Sequence, residues 1–102
     1  MVIDIKDRVK SAALQGKIVT ASEAALLINP NDKVGISGFT PSGYAKAVPL
    51  ALAERMEKEP FKIDLWTGAS VGDEADGALT RANGINRRFP YQTNNDTRKA
   101  LN

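Results

Sequence analysis

The sequence predicts an α/β fold: a partial, open, mostly parallel sheet with flanking helices. Three observations predict it. Segments with helical and strand periodicity alternate along the chain. Two strand segments run through glycine-bearing loops into helices, the βα order of a parallel sheet. The composition, 42% hydrophobic and 25% charged over 102 residues, is that of one soluble globular domain. A chain of this size buries roughly 60–65% of its unfolded surface, enough for one modest core.

The elements follow in order. Residues 4–14 place Ile5, Val9, Ala12 and Ala13 on one face at helical spacing, with Gly16 as a stop. Thr20-Ala-Ser-Glu23 is a capping box, opening a helix that carries the apolar run from Ala24 to Ile28. Asn29-Pro30-Asn31-Asp32 ends that helix with turn chemistry. Lys33–Ser37 is a short strand. A helix is expected from Lys46 to Lys58, with Val48, Leu52 and Met56 on one face and Pro49 in its first turn. Phe61–Thr67 is a second strand, with Ile63 and Leu65 facing one way. A third helix fits Asp73–Ala82, with Asp73, Glu74 and Asp76 favouring its N-terminal dipole and Asn83-Gly84 breaking it. Arg87–Tyr91 is extended, and a last helix starts near Asn94, with Asp96 as its cap.

One feature does not fit a finished domain. Three short strands make a small parallel sheet, and such sheets are normally covered on both faces. The last helix begins about where the chain stops. Residues 1–102 therefore read as the front part of a larger domain, with no second domain present.

Composition excludes several chemistries. The chain has no cysteine and no histidine, so it can build neither a disulfide, a thiol nucleophile nor a Ser-His-Asp triad. A metal site would need carboxylates alone, and none is expected. No run approaches the ~20 apolar residues of a membrane span. The N-terminus places Asp4, Lys6, Asp7 and Arg8 where a signal peptide is apolar, so a cytoplasmic location is expected.

Charge is uneven. Residues 1–76 hold 9 basic and 11 acidic side chains; residues 77–102 hold Arg81, Arg87, Arg88, Arg98 and Lys99 against Asp96 alone. This end reads either as an anion site, or as a solvated basic face, or as arginines whose partners lie elsewhere. Phe89 and Tyr91 lack the spacing of a stacking platform, so nucleic acid is not an expected partner.

Ligands of open α/β sheets bind at the carboxyl ends of strands. Two loops qualify: loop one, Ser37-Gly-Phe-Thr-Pro-Ser-Gly43, and loop two, Thr67-Gly-Ala-Ser-Val-Gly72. Glycine lets backbone N–H groups approach an anion, and a following helix N-terminus adds partial positive charge. Ser37, Thr40, Ser42, Thr67 and Ser70 offer hydroxyls to a carboxylate. Neither loop matches a dinucleotide or P-loop fingerprint. By pattern alone, both remain compatible with ordinary turns.

Three blocks carry a resemblance: Ser37-Gly-Phe-Thr-Pro-Ser-Gly-Tyr-Ala-Lys-Ala-Val-Pro49; Asp64-Leu-Trp-Thr-Gly-Ala-Ser-Val-Gly72 with Asp76-Gly77; and Arg88-Phe-Pro-Tyr-Gln-Thr93. Together, and in this order, they resemble the N-terminal part of the acetyl-CoA hydrolase/transferase family, the class I coenzyme A transferases. The resemblance implies the start of the first of two Rossmann-like CoA-transferase domains. It implies transfer of CoA between an acyl-CoA and a small carboxylate, or water, through a glutamyl anhydride and a glutamyl-CoA thioester. Acyl-CoA is then a substrate, with no tightly bound cofactor, and the protein a homo-oligomer, a dimer.

The nucleophilic glutamate of the family falls outside this chain: Glu23, Glu54, Glu57, Glu59 and Glu74 sit in no matching motif. The chain alone is thus expected to be inactive, with no catalytic residue of its own. Ser70 and Thr93 match positions lining the acyl or acceptor-carboxylate pocket. Gly38, Phe39 and Gly43 match the loop over the active-site floor. Pro41-Ser42, where many members have Gly-Ala, and Val71, often threonine, depart from the pattern and leave acceptor preference open. Two rivals remain: a stand-alone anion-binding module, and an assembly domain without catalysis.

Overall fold

The computed structural model describes residues 5–38, 42–67, 71–89 and 95–101. Its elements are α1 (Ile5–Arg8), α2 (Ala12–Gln15), α3 (Ala21–Ala25), β1 (Lys33–Ile36), α4 (Ala47–Lys58), β2 (Ile63–Thr67), α5 (Asp76–Arg81), β3 (Ile85–Phe89) and α6 (Asn95–Leu101). The strands form one parallel sheet in the order β1-β2-β3, so the predicted α/β class holds. Both crossovers step the same way across the sheet. Right-handed connections then place α4 and α5 on one face.

That face holds the core. Leu52, Ala53 and Met56 of α4, Ile63 and Leu65 of β2, Leu79 of α5 and Ala25 of α3 form one buried cluster. Arg55 ties α3 to α4: its Nη1 donates to the carbonyls of Ala25 at 2.9 Å and Ile28 at 2.5 Å. The Ala25 carbonyl ends α3 and also accepts from the Ile28 N–H at 3.3 Å, while the Ile28 carbonyl lies beyond the helix, where no further turn supplies a donor. Phe61 stacks beneath the guanidinium, 4.6 Å from ring centre to Cζ. The opposite face is barer: Trp66 stacks on Phe89 at 4.4 Å between ring centres yet stays 49% exposed.

A slip in the β2–β3 register decides which side chains of β3 point inward. Ile63 lies opposite Ile85, but Asp64 lies opposite Arg87, leaving Asn86 as an extra residue. One added residue exchanges the two faces of a strand. Beyond the slip, Arg88 lies beside buried Leu65 and is itself buried, while Phe89 lies beside Trp66.

Local signals formed as expected at several points. Thr20 and Glu23 make the capping box, with Glu23 N–H to Thr20 Oγ1 at 3.2 Å and Thr20 N–H to Glu23 Oε1 at 3.3 Å. Asp32 closes the turn before β1, accepting from Asn29 N–H at 2.8 Å, and Asn31 takes φ 68° there. After α5, Asn83 adopts φ 56° and donates to the Thr80 carbonyl at 2.9 Å. Gly84 N–H reaches the Leu79 carbonyl at 2.9 Å, which completes a Schellman motif. A Cβ at Gly84 would overlap the Met56 thioether, so this glycine also admits α4 against the turn.

Three expectations need correction. The helix over residues 4–14 is broken at 9–11 into α1 and α2. Ser11 is extended at φ −83°, ψ 120°, and α2 buries no residue. Helices this short are unstable without a packed face. Residues 73–75 form a turn, so the third helix starts at Asp76 rather than Asp73. Asp96 lies inside the first turn of α6 and is not its cap. Its carboxylate pairs with Arg81 at 3.0 Å instead.

Candidate functional site

The carboxyl ends of β1 and β2 adjoin, pairing Ile36 with Thr67, so loops one and two leave the sheet side by side. Loop one turns back on itself through two glycines at positive φ, Gly38 at 143° and Gly43 at 70°. A Cβ at Gly38 would stand 2.6 Å from both Cα and Cβ of Tyr44. Only glycine permits that closure. Of the predicted site residues, Gly38 and Gly43 therefore have a demonstrable local role. Phe39, Ser70 and Thr93 lie outside the described residues, as does Thr40. Ser37 and Ser42 are exposed, and Thr67 is buried at the end of β2.

Tyr44 spans both loops. Its phenol lies so close to Gly72 that any Cβ there would overlap the ring, and its hydroxyl donates to Glu74 Oε2. Lys46 Nζ sits 4.0 Å from the ring centre. The hydrogen bond from Tyr44 holds the Glu74 carboxyl below its usual range. The same bond, helped by desolvation and the negative charge of Glu74, raises the Tyr44 phenol above its usual value. Both shifts follow from one proton shared between a neutral donor and an ionised acceptor.

Loop two is held from the interior. Arg88 Nε donates to Asp76 Oδ1 at 2.7 Å and Nη2 to Asp76 Oδ2 at 3.0 Å, a bidentate pair with both side chains wholly buried. Asp76 Oδ2 also accepts the Val71 N–H at 3.2 Å. Arg88 Nη1 turns to the Phe89 carbonyl at 2.6 Å. The Asp76 carbonyl accepts from the Thr80 hydroxyl at 2.7 Å and lies 3.2 Å from the Thr97 hydroxyl, which anchors α6 to the same point.

This arrangement revises one expectation and adds to another. The Val71 N–H at the end of loop two already has an internal acceptor, so it is not an open anion donor. Asp76 stands in the first turn of α5, as read from sequence, and is in addition a buried ion-pair partner. The basic end of the chain is also less available than its charge suggests. Arg88 is committed to Asp76, and Arg81 bridges Asp73 at 2.8 Å and Asp96 at 3.0 Å. Among the described residues no group of three or more acidic side chains is placed to hold a metal ion. No described helix is long and apolar enough to cross a membrane.

Sequence reasoning did not single out Tyr44, Glu74 or the Asp76–Arg88 pair as a unit. Asp76 and Arg88 are twelve positions apart on different elements, and no spacing rule links them. Tyr44 offered a better signal. It stands directly after a glycine loop, within the first resembling block.

A family model described as the acetyl-CoA hydrolase/transferase N-terminal domain matches residues 3–102. The chain is 50% identical over 97 residues to a succinyl-CoA:acetate CoA-transferase of Clostridium kluyveri, covering 93% of this chain and 18% of that protein. It is 46% identical over 89 residues to a propanoyl-CoA:succinate CoA transferase of Escherichia coli, covering 82% of this chain and 18% of that protein. An acetyl-CoA hydrolase of Neurospora crassa is 35% identical over 107 residues, covering 92% of this chain and 20% of that protein. The chain thus spans about a fifth of the length of these relatives.

Proposed function

The chain belongs to the acetyl-CoA hydrolase/transferase family, and on that premise we propose that it is the N-terminal part of an enzyme moving coenzyme A from an acyl-CoA to a small carboxylate or to water. The observation that carries this reading is the placing of two glycine loops at the adjoining ends of parallel β1 and β2, within a family match spanning residues 3–102. In this reading residues 1–102 begin the first of two α/β domains, and further chain covers the Trp66–Phe89 face of the sheet. The enzyme is a cytoplasmic dimer with no tightly bound cofactor.

The chemistry needs a carboxylate nucleophile supplied from outside this chain. A glutamate oxygen attacks the thioester carbonyl; the C–S bond breaks, leaving an acyl-glutamyl anhydride and the CoA thiolate. The thiolate attacks the glutamyl carbonyl, and the acyl group departs as a free carboxylate. An acceptor carboxylate then reverses these steps, or water cleaves the intermediate. Covalent catalysis divides one difficult exchange into easier ones, and water must be excluded for transfer to prevail. This chain's part is the carboxylate side. Ser70 and Thr93 hydrogen-bond the carboxylate, while Gly38, Phe39 and Gly43 form the floor.

The test is kinetic, in the complete protein. Ser70→Ala and Thr93→Ala should each lower kcat/KM for small carboxylates about 10- to 100-fold, the worth of one hydrogen bond to a charged group, ~1.5–3 kcal/mol. Unchanged kinetics in both would remove these residues from the site. The 102-residue chain alone should show no thioester exchange. Measurable exchange by it would overturn the assignment of the nucleophile to a later segment. An anion-binding module without catalysis is the weaker reading, since Arg81 and Arg88 already hold internal carboxylates.

A further inference from the structure

We propose that residues 7–19 are an exchange arm: in a pair of chains, each arm lies in the groove between α3 and α4 of the other copy. This pairing does not rest on the transfer reaction proposed above. Two surfaces carry it, and the first is the arm. Among the described residues, the hydrogen bonds of 7–19 close within the arm itself, such as Gln15 Nε2 to the Val9 carbonyl and Lys17 N–H to the Leu14 carbonyl, both at 3.0 Å. Residues 10–17 are exposed without a break, Leu14 included, and no arm residue enters the core. Val9, Ala12 and Ala13 have helical spacing but nothing to pack on in one chain, and the helix breaks at 9–11.

The second surface is a groove of about 280 Å³ between α3 and α4. Leu26, 63% exposed, and Ala51 give it apolar walls. Arg55 lines it too. Its Nη1 is spent on the Ala25 and Ile28 carbonyls, while its buried Nε has no hydrogen-bond acceptor and lies 3.7 Å from Glu59. A buried N–H left unpaired is costly, so an incoming carbonyl or amide oxygen gains by meeting it. The rim holds Glu23, Glu54 and Glu59 against Lys58. The arm has the opposite balance, Arg8, Lys10 and Lys17 against Asp7. Complementary charge steers such a contact and fixes its register.

No arm residue lines the groove of its own chain. The path into α3 explains why. Lys17 and Ile18 N–H groups close the end of α2, and Thr20 leaves that turn extended at ψ 163°, locked by the capping box with Glu23. The arm is thereby held off its own α3, with arm and groove both open. A second copy covers both at once, because a two-fold pair makes the same contact twice.

The test is sedimentation equilibrium of the 102-residue chain, which should show a monomer–dimer equilibrium. Leu14→Asp and Glu54→Lys, both at exposed positions, should each raise the dimer Kd about tenfold or more and leave the urea midpoint unchanged. Lys10→Glu with Lys17→Glu should weaken pairing as much. Adding Glu54→Lys and Glu59→Lys to that reversed arm should bring Kd back to within about threefold of native. The chain has no cysteine, so Ala13→Cys and Lys58→Cys, placed in separate chains and mixed, should be joined by a short bismaleimide. A strict monomer up to about 1 mM overturns the proposal. A dimer indifferent to Leu14→Asp and to the reversed arm overturns it too, since another surface then makes the pair. Crosslinking confined to single chains that carry both cysteines shows the arm in its own groove and overturns the exchange.

Discussion

Helix α5 carries one partner of each of two Asp–Arg systems, and they differ in everything except chemistry. At its start Asp76 meets Arg88 in the interior, both side chains fully buried. At its end Arg81 bridges Asp73 and Asp96 at the surface, all three about half exposed. In water the charges of the outer system are screened and their attraction competes with hydration. In the interior every lone pair and N–H must find a partner, because solvent is not there to supply one. The buried pair accordingly gathers Val71, Phe89, Thr80 and Thr97 around it. The outer one joins the turn before α5 to α6. The same two residue types thus organise a loop in one place and decorate a surface in the other.

The contrast is sharpest where one partner is removed. Asp76→Ala or Arg88→Ala leaves a charge buried alone and should destabilise the chain by about 3–5 kcal/mol in urea denaturation. That is a large share of the ~5–15 kcal/mol available to a domain. A loss under about 1 kcal/mol would mean the interior pair behaves like the outer one. Replacing both with apolar residues, Asp76→Leu with Arg88→Met, removes the charges together. The remaining loss should be about 1–3 kcal/mol, because Val71 N–H is still left without its acceptor. Full recovery would show that the pair does not hold loop two.

Thr20→Ala gives a reference between the two extremes. It deletes the capping box of α3, an exposed but geometrically defined interaction, and should cost about 1 kcal/mol. Arg81→Ala should fall at or below that, about 0–1 kcal/mol, and the difference should vanish at 1 M salt. A salt-insensitive loss would place the outer bridge in the same class as the inner pair.

The smallest effect should be the pH dependence of the Tyr44–Glu74 bond. A lowered Glu74 gives stability that is present above the ordinary carboxylate range and is lost as pH falls through its lowered value. A raised Tyr44 gives stability that is present below about 10 and is lost as pH rises through its raised value. Lys46 and Asp73 face the pair with opposite charges. The stability difference between the native chain and Tyr44→Phe should therefore form a plateau between those limits, measured by urea denaturation across pH. A difference that grows at either extreme would contradict the bond's direction, phenol to carboxylate.

Much of the fold could be read directly from the chain, and the reasons are local. Val48, Leu52 and Met56 recur at the helical period, and α4 runs from Ala47 to Lys58. Ile63 and Leu65 alternate with polar Asp64, and β2 buries them. Thr20 with Glu23, and Asn83 with Gly84, mark helix ends through contacts three to five residues apart. The N-terminal helix failed as a prediction because periodicity promises a buried face only if something packs on it. Leu14 is 51% exposed, and nothing in α2 is buried.

At the site the same division holds. The glycine loops and their place after strands were legible, since turn chemistry and βα order are written in neighbouring residues. Which arginine would be spent inside the protein was not. Alternation from Ile85 points Arg87 inward, and the extra residue Asn86 hands that place to Arg88. Sequence alone determined the α/β class, the Thr20 capping box, the Asn83-Gly84 helix end, the two loops and the family, because each rests on short-range pattern or on blocks in order. Tertiary structure alone decided that Arg88 meets Asp76, that Phe89 stacks on Trp66, and that Tyr44 spans two loops. Those outcomes depend on strand register and on close approach between segments distant in the chain, where a slip of one residue exchanges inside for outside.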